Sequence, residues 1–153
     1  MVPNLYATYA HSPVALKAIL QFDETLKGGS FTKREAEAIA LAIAETNACD
    51  YCLAAHTAIG KMNGFTEAET IELRTLSSSD EKPLALTSLT QAITITRGRP
   101  EESSIQAFYN AGYDKAALVE LIGFVSVNTY NNYLNNIAET VIDFPEAPAL
   151  AVV

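Results

Sequence analysis

The strongest constraint on this chain is a helix-start device that recurs along it. In "SFTKREAEAIALAIA" Thr32 stands three residues before Glu35, and in "GFTEAETIELRTLS" Thr66 stands three before Glu69. A hydroxyl followed by a carboxylate at that spacing satisfies two backbone N–H groups that a helix start leaves free. Each pair precedes an apolar run of helical rather than alternating period. Ser12 before Pro13 marks a further start, because the fixed φ of proline suits the first helical position. Read this way, "HSPVALKAILQFDETLKGG" is a helix stopped at Gly28-Gly29, and a second begins after Thr32. The cysteine-bearing stretch is a third, ending at Gly64, and Thr66 opens a fourth. "EKPLALTSLTQAITITRG" and "PEESSIQAFYNAG" follow, the latter stopped at Gly112, and a long last helix runs from Asp114 to about Ile142 before "DFPEAP". No alternating strand pattern of convincing length interrupts them. The expected class is all-α, a bundle of about six or seven helices.

A chain of 153 residues is expected to form one domain over 1–153, with enough core to fold without disulfides or metals. The composition, 49% hydrophobic and 18% charged, excludes a disordered chain. Net charge is −8 and no run of Lys or Arg exceeds two, which argues against a nucleic-acid partner. The start, "MVPNLYATYAHSPVALKA", has no basic leader, and no apolar run approaches the roughly 18 residues of a membrane span. We therefore expect neither signal peptide nor membrane insertion. Two cysteines do not make a secreted disulfide framework, so a cytoplasmic setting is expected.

Both cysteines and one of the two histidines fall within "ACDYCLAAHTAIGKMNG". On a helix, Cys49 and Cys52 three apart and Cys52 and His56 four apart share one face. Cys49 would sit at or before the first turn, where free N–H groups and the helix dipole favour a thiolate. His56, a turn beyond Cys52, is placed to hydrogen-bond it. Glu37 is the only charge in "AEAIALAIA". A carboxylate in so apolar a helix is costly to bury alone, and a nearby His is an obvious partner.

Several chemistries compete for the cysteines. A c-type haem needs His directly after the second Cys, where Leu53 stands, and a thioredoxin-like site needs a preceding strand. Zinc could use Cys49, Cys52 and His56 with His11 or Glu37 as fourth ligand. Two buried cysteines could also pack as small hydrophobes beside a satisfied His. Thiol redox chemistry is the leading reading, and no metal or cofactor is assigned. Tyr51 reads first as a packing residue and second as an auxiliary hydrogen-bond donor; it does not shuttle protons near neutrality. "NTYNNYLNN" holds five asparagines, Asn128, Asn131, Asn132, Asn135 and Asn136, which are poor helix formers. Their amides need partners if buried, at a pocket or subunit contact.

Glu37, then Cys49-Asp50-Tyr51-Cys52, then Leu53-Ala54-Ala55-His56, resembles the signature of the AhpD-like alkylhydroperoxidases of the carboxymuconolactone decarboxylase superfamily. The segment "NNYLNNIAETVIDFP" is similar to the close of many single-domain members. The resemblance implies an AhpD-like helical bundle assembled as a trimer or hexamer. It implies hydroperoxide reduction with Cys52 as peroxidatic thiol, Cys49 as resolving thiol, and Glu37 with His56 as proton relay. An external dithiol would restore the pair. AhpD proper places a His between its cysteines, whereas Tyr51 stands here. The decarboxylase branch lacks the cysteine pair, so its activity is not expected. The expected function is thiol-dependent peroxidase or thiol–disulfide oxidoreductase; the alternative is a non-enzymatic zinc-binding or structural oligomer.

Overall fold

A computed structural model describes residues 2–150, and eight helices occur among them. They are α1 (Asn4–Tyr9), α2 (Pro13–Leu26), α3 (Lys33–Thr46), α4 (Asp50–Met62), α5 (Glu67–Thr75), α6 (Glu81–Thr96), α7 (Glu102–Asn110) and α8 (Lys115–Ala138). No strand occurs among the described residues, and none of their helices is long and apolar enough to cross a membrane.

The starts form as their sequences dictate. Thr32 Oγ1 accepts from Glu35 N at 3.2 Å while Glu35 accepts from Thr32 N at 2.8 Å. Thr66 and Glu69 repeat the reciprocal pair at 3.2 and 2.6 Å. Ser12, Asp80 and Asp114 cap α2, α6 and α8 through their side-chain oxygens. Gly64, at φ +92°, ends α4 in the left-handed region that a side chain would make costly.

Helix α3 is the axis of the bundle. Ala38 through Ala44 are all buried, and α4, α5, α6 and α8 pack around it. The alternation of Ala with Ile39, Leu41 and Ile43 lets neighbours approach closely on every side. The main core joins Ile39 and Ile43 to Leu86, Leu89, Phe108, Leu121 and Phe124. A second cluster holds Leu41, Leu53 and Leu73 with both cysteines. At about 25 cal/mol per Å² of apolar surface removed from water, such burial dominates the folding free energy.

The structure corrects the sequence-based expectation in two places. Eight helices occur among the described residues instead of about six or seven, because α1 forms ahead of Ser12. A helix this short is unstable alone, and distant partners hold it: Asn4 N donates to Asp143 Oδ2 at 2.9 Å, and Leu5 N to the Tyr51 hydroxyl at 3.2 Å. The last helix stops at Ala138, short of Ile142. Glu139 turns left-handed at φ +47°, and Thr140 N donates to Asn135 O at 3.1 Å.

Candidate active site

The reversal between α3 and α4 positions the first cysteine. Asn47 caps the end of α3, Ala48 is left-handed at φ +48°, and its N–H reaches Glu45 O at 3.1 Å. Cys49 N donates to Ala44 O at 3.0 Å, completing the paired hydrogen bonds of a Schellman helix end. The same Cys49 is the N-cap of α4, its sulfur accepting from Cys52 N at 3.3 Å. One residue thus closes one helix and opens the next. Asparagines of α8 clamp this turn: Asn47 Nδ2 donates to Asn132 Oδ1 at 2.9 Å, and Asn136 Nδ2 to Asn47 O at 3.1 Å.

Cys49 and Cys52 are joined as a disulfide and are 0% and 3% exposed. Cys52 Sγ also accepts from Asn135 Nδ2 at 3.3 Å, in the interior. The carbonyl oxygen of that amide, Asn135 Oδ1, is buried without a partner.

Glu37 lies in the second turn of α3 and turns toward α4, where its Oε2 stands 2.8 Å from His56 Nδ1. The side chains are 14% and 22% exposed respectively, so the pair is shielded yet reachable. Glu35, not Glu37, is the first-turn acid that complements the dipole of α3. Glu37 and His56 border a cavity of about 210 Å³ whose apolar walls include Leu5, Ile59, Phe124 and Phe144.

One contact differs from the expected one. His56 gives its described hydrogen bond to Glu37, while the side-chain partner of Cys52 is Asn135. Tyr51 donates its hydroxyl to Asp143 Oδ1 at 2.8 Å and sets its ring edge-on to Phe144 at 5.8 Å. Burial pushes its pKa up to about 12, assisted by Asp143, so the phenol stays a neutral donor tying α1 to the C-terminal segment. The zinc alternative finds no support: among the described residues no three His, Cys, Asp or Glu side chains form a metal cage. The sulfurs are bonded to each other, His56 Nδ1 faces Glu37, and His11 is exposed.

Of the five asparagines, Asn128, Asn132 and Asn135 are buried along one face of α8. Asn128 satisfies itself on Phe124 O at 2.9 Å, and Asn131 accepts from the Tyr9 hydroxyl at 2.7 Å. Their number was the signal available in sequence; which one meets the sulfur was not.

The model of the carboxymuconolactone decarboxylase family matches residues 13–94, from the start of α2 through most of α6, with the cysteine pair inside. The chain belongs to this family. No curated protein matches it closely enough to report. Solved structures share the fold over 94–95% of the chain. An uncharacterized peroxidase-related protein from Ralstonia eutropha JMP134, described as an alkylhydroperoxidase AhpD core, superposes with TM-score 0.85 at 21% identity. The match covers 94% of this chain and 78% of that one. A peroxidase-related protein from Silicibacter sp. TM1040 gives 0.78 at 21% identity, over 95% and 78%. A cysteine-to-alanine variant of the debrominase Bmp8, solved with 2,3,4-tribromopyrrole, gives 0.82 at 14% identity, over 94% and 78%. At such identities the likeness speaks for the fold. Within the family, these comparisons agree with the AhpD-like all-α bundle and leave the reaction to the chemistry of the site.

Proposed function

We propose that this protein is a thiol-dependent peroxidase that reduces organic hydroperoxides through Cys52 and Cys49. The observation that carries the reading is the Glu37–His56 contact at 2.8 Å, one helical turn beyond a cysteine pair close enough to be disulfide-bonded.

Thiolate formation alone does not make a peroxidase. A free thiol near pKa 8.5 is about 3% ionised at pH 7, and lowering it to about 6.5 gives roughly 75%, about a 25-fold gain. Nucleophilicity falls with basicity, and a Brønsted slope of about 0.4–0.5 removes roughly 6- to 10-fold of it. The larger contribution comes from protonating the departing oxygen, where a placed acid supplies about 10²–10⁴-fold.

In the proposed cycle His56 takes the Cys52 proton, and the thiolate attacks the terminal oxygen of the hydroperoxide. The S–O bond forms, the O–O bond breaks, and His56 returns the proton to the leaving alkoxide as alcohol. Glu37 fixes the ring tautomer through Nδ1 and stabilises its charged form, leaving Nε2 for exchange. Cys49 then attacks the Cys52 sulfenic acid, releasing water and closing the disulfide. An external dithiol reduces it. The apolar walls of the cavity beside His56 suit an alkyl group.

Homo-oligomerisation as a trimer or hexamer belongs to the same proposal. It is supported by an apolar stripe on α8, where Val119 and Ile137 are 70% and 84% exposed and Ile122 and Tyr133 lie between them.

The test is single-turnover consumption of an alkyl hydroperoxide by reduced protein, with thiols counted before and after. Cys52→Ser should abolish it, and Cys49→Ser should leave a sulfenic acid that a dimedone probe traps at Cys52. A label on Cys49, or reduced thiols indifferent to peroxide, contradicts the proposal.

A further inference from the structure

We infer that Asn135 is a catalytic residue acting on Cys52. Its amide N–H stabilises the sulfur as a thiolate, and its carbonyl oxygen accepts the O–H of the incoming hydroperoxide. The second part rests on the peroxidase reading above; the first does not.

One backbone donor at the start of α4 is already in use. The helix-start N–H that would favour a thiolate is taken by Cys49, whose sulfur accepts from Cys52 N. Cys52 is buried as well, in one cluster with Leu41, Leu53 and Leu73, and burial in apolar surroundings raises a thiol pKa. It therefore needs a donor of its own, and Asn135 Nδ2 stands 3.3 Å from its sulfur. In the disulfide that sulfur is a weak acceptor; once it is reduced and has given up its proton it is a thiolate, and the same contact becomes charge-assisted. The donor is held in place, since Asn132 and Asn136, on either side of it along α8, are clamped to Asn47.

The other end of the amide supplies the second part. Asn135 is 3% exposed and its Oδ1 has no partner, a condition few buried carbonyl oxygens tolerate. An unpaired acceptor one amide's width from the reacting sulfur fits a guest that brings an O–H. A hydroperoxide carries its O–H on the oxygen that the thiolate attacks. As the S–O bond forms and the O–O bond breaks, that hydrogen stays on the sulfenic acid, still bonded to Oδ1. The sulfur loses two electrons to the peroxide, and the alkoxide takes its proton from His56.

The experiment measures Cys52 alone, in full-length Cys49→Ser protein. Iodoacetamide alkylation is followed over roughly pH 5 to 10 with Asn135, Asn135→Ala and the isosteric Asn135→Asp. Both substitutions should raise the thiol pKa by about one to two units, Asp more than Ala because it adds a like charge. The oxidation rate with cumene hydroperoxide, normalised to the thiolate fraction, should fall about tenfold in each. A thiol pKa unmoved in either variant that folds overturns the amide assignment, since a purely structural Asn135 would change melting temperature only. Should both variants unfold, the Asn135 side-chain amide NMR signals of Cys49→Ser protein decide. They should titrate with the Cys52 thiol, and signals indifferent to its ionisation overturn the assignment. A shifted pKa with an unchanged normalised rate overturns the carbonyl role. If the Asn135 parent itself ignores peroxide, the peroxidase reading fails while the thiol titration still judges the amide.

Discussion

Glu37 and His56 are nineteen residues apart in the chain and 2.8 Å apart in space, one carried by the central helix α3 and the other by α4. The carboxylate is the single charge of the run from Ala36 to Ala44 within α3, and it meets the imidazole of the cysteine helix. A group that costs so much to bury alone is stabilised by a partner that also has a use for it.

Glu37→Gln keeps the shape and removes the charge. Its amide oxygen still accepts from Nδ1, so the fold should lose only about 1 kcal/mol. The imidazolium loses its counter-ion, and the peroxide step should slow by at least about tenfold. Urea unfolding and stopped-flow oxidation of the reduced protein measure the two separately.

Tyr51→Phe tests whether the residue between the cysteines is structural. The ring contact with Phe144 survives, while the bonds to Asp143 and Leu5 are lost. We expect a loss of about 1–2 kcal/mol and faster hydrogen exchange at Leu5. The oxidation rate of Cys52 should stay within about twofold, because the phenol is spent on tying down chain ends.

Glu35 sets an acid limit on stability. Partial burial raises its pKa, but hydrogen bonds from Thr32 and Tyr113 and the contact with Lys82 outweigh this and leave it lowered. A carboxylate lowered in the folded state adds stability above its unfolded pKa, and that stability is lost as pH falls through the folded value. The native protein should therefore weaken from about pH 4.5 downward, and Glu35→Gln should flatten that part of the profile while being less stable at pH 7. Thermal melts across that range show whether the slope changes.

Ala48 occupies a backbone region that glycine prefers, at φ +48°. Relief of roughly 1–2 kcal/mol of strain is offset by about 0.4–1 kcal/mol of added unfolded-state entropy, so Ala48→Gly should stabilise by up to about 1.5 kcal/mol. Ala48→Val should destabilise, since branching at Cβ worsens the clash. Chemical denaturation of the reduced proteins reads both without the disulfide intervening.

What the sequence disclosed depended on range. The capped starts at Ser12, Thr32 and Thr66 and the stop at Gly64 use neighbours within a few residues, and they stand where local chemistry put them. The Glu37–His56 contact was legible because the single carboxylate of the run AEAIALAIA demands a partner. Helix α1 was not, since Asn4 and Leu5 are held by Asp143 and Tyr51, 139 and 46 residues away. Nor was the place of Asn135, 83 residues from the sulfur it touches. Five asparagines in successive helix turns needed partners if buried, and packing decided which of them are.

The proposed cycle has His56 work on the departing oxygen more than on the thiol. It is tested most directly by comparing His56→Gln with the unsubstituted protein in two measurements on the reduced chain: the pH profile of alkylation and the single-turnover rate with an alkyl hydroperoxide. The expected outcome is a thiol pKa changed by less than about one unit and a peroxide rate lowered by about 10²-fold or more. A peroxide rate that falls only in proportion to the lost thiolate would contradict it.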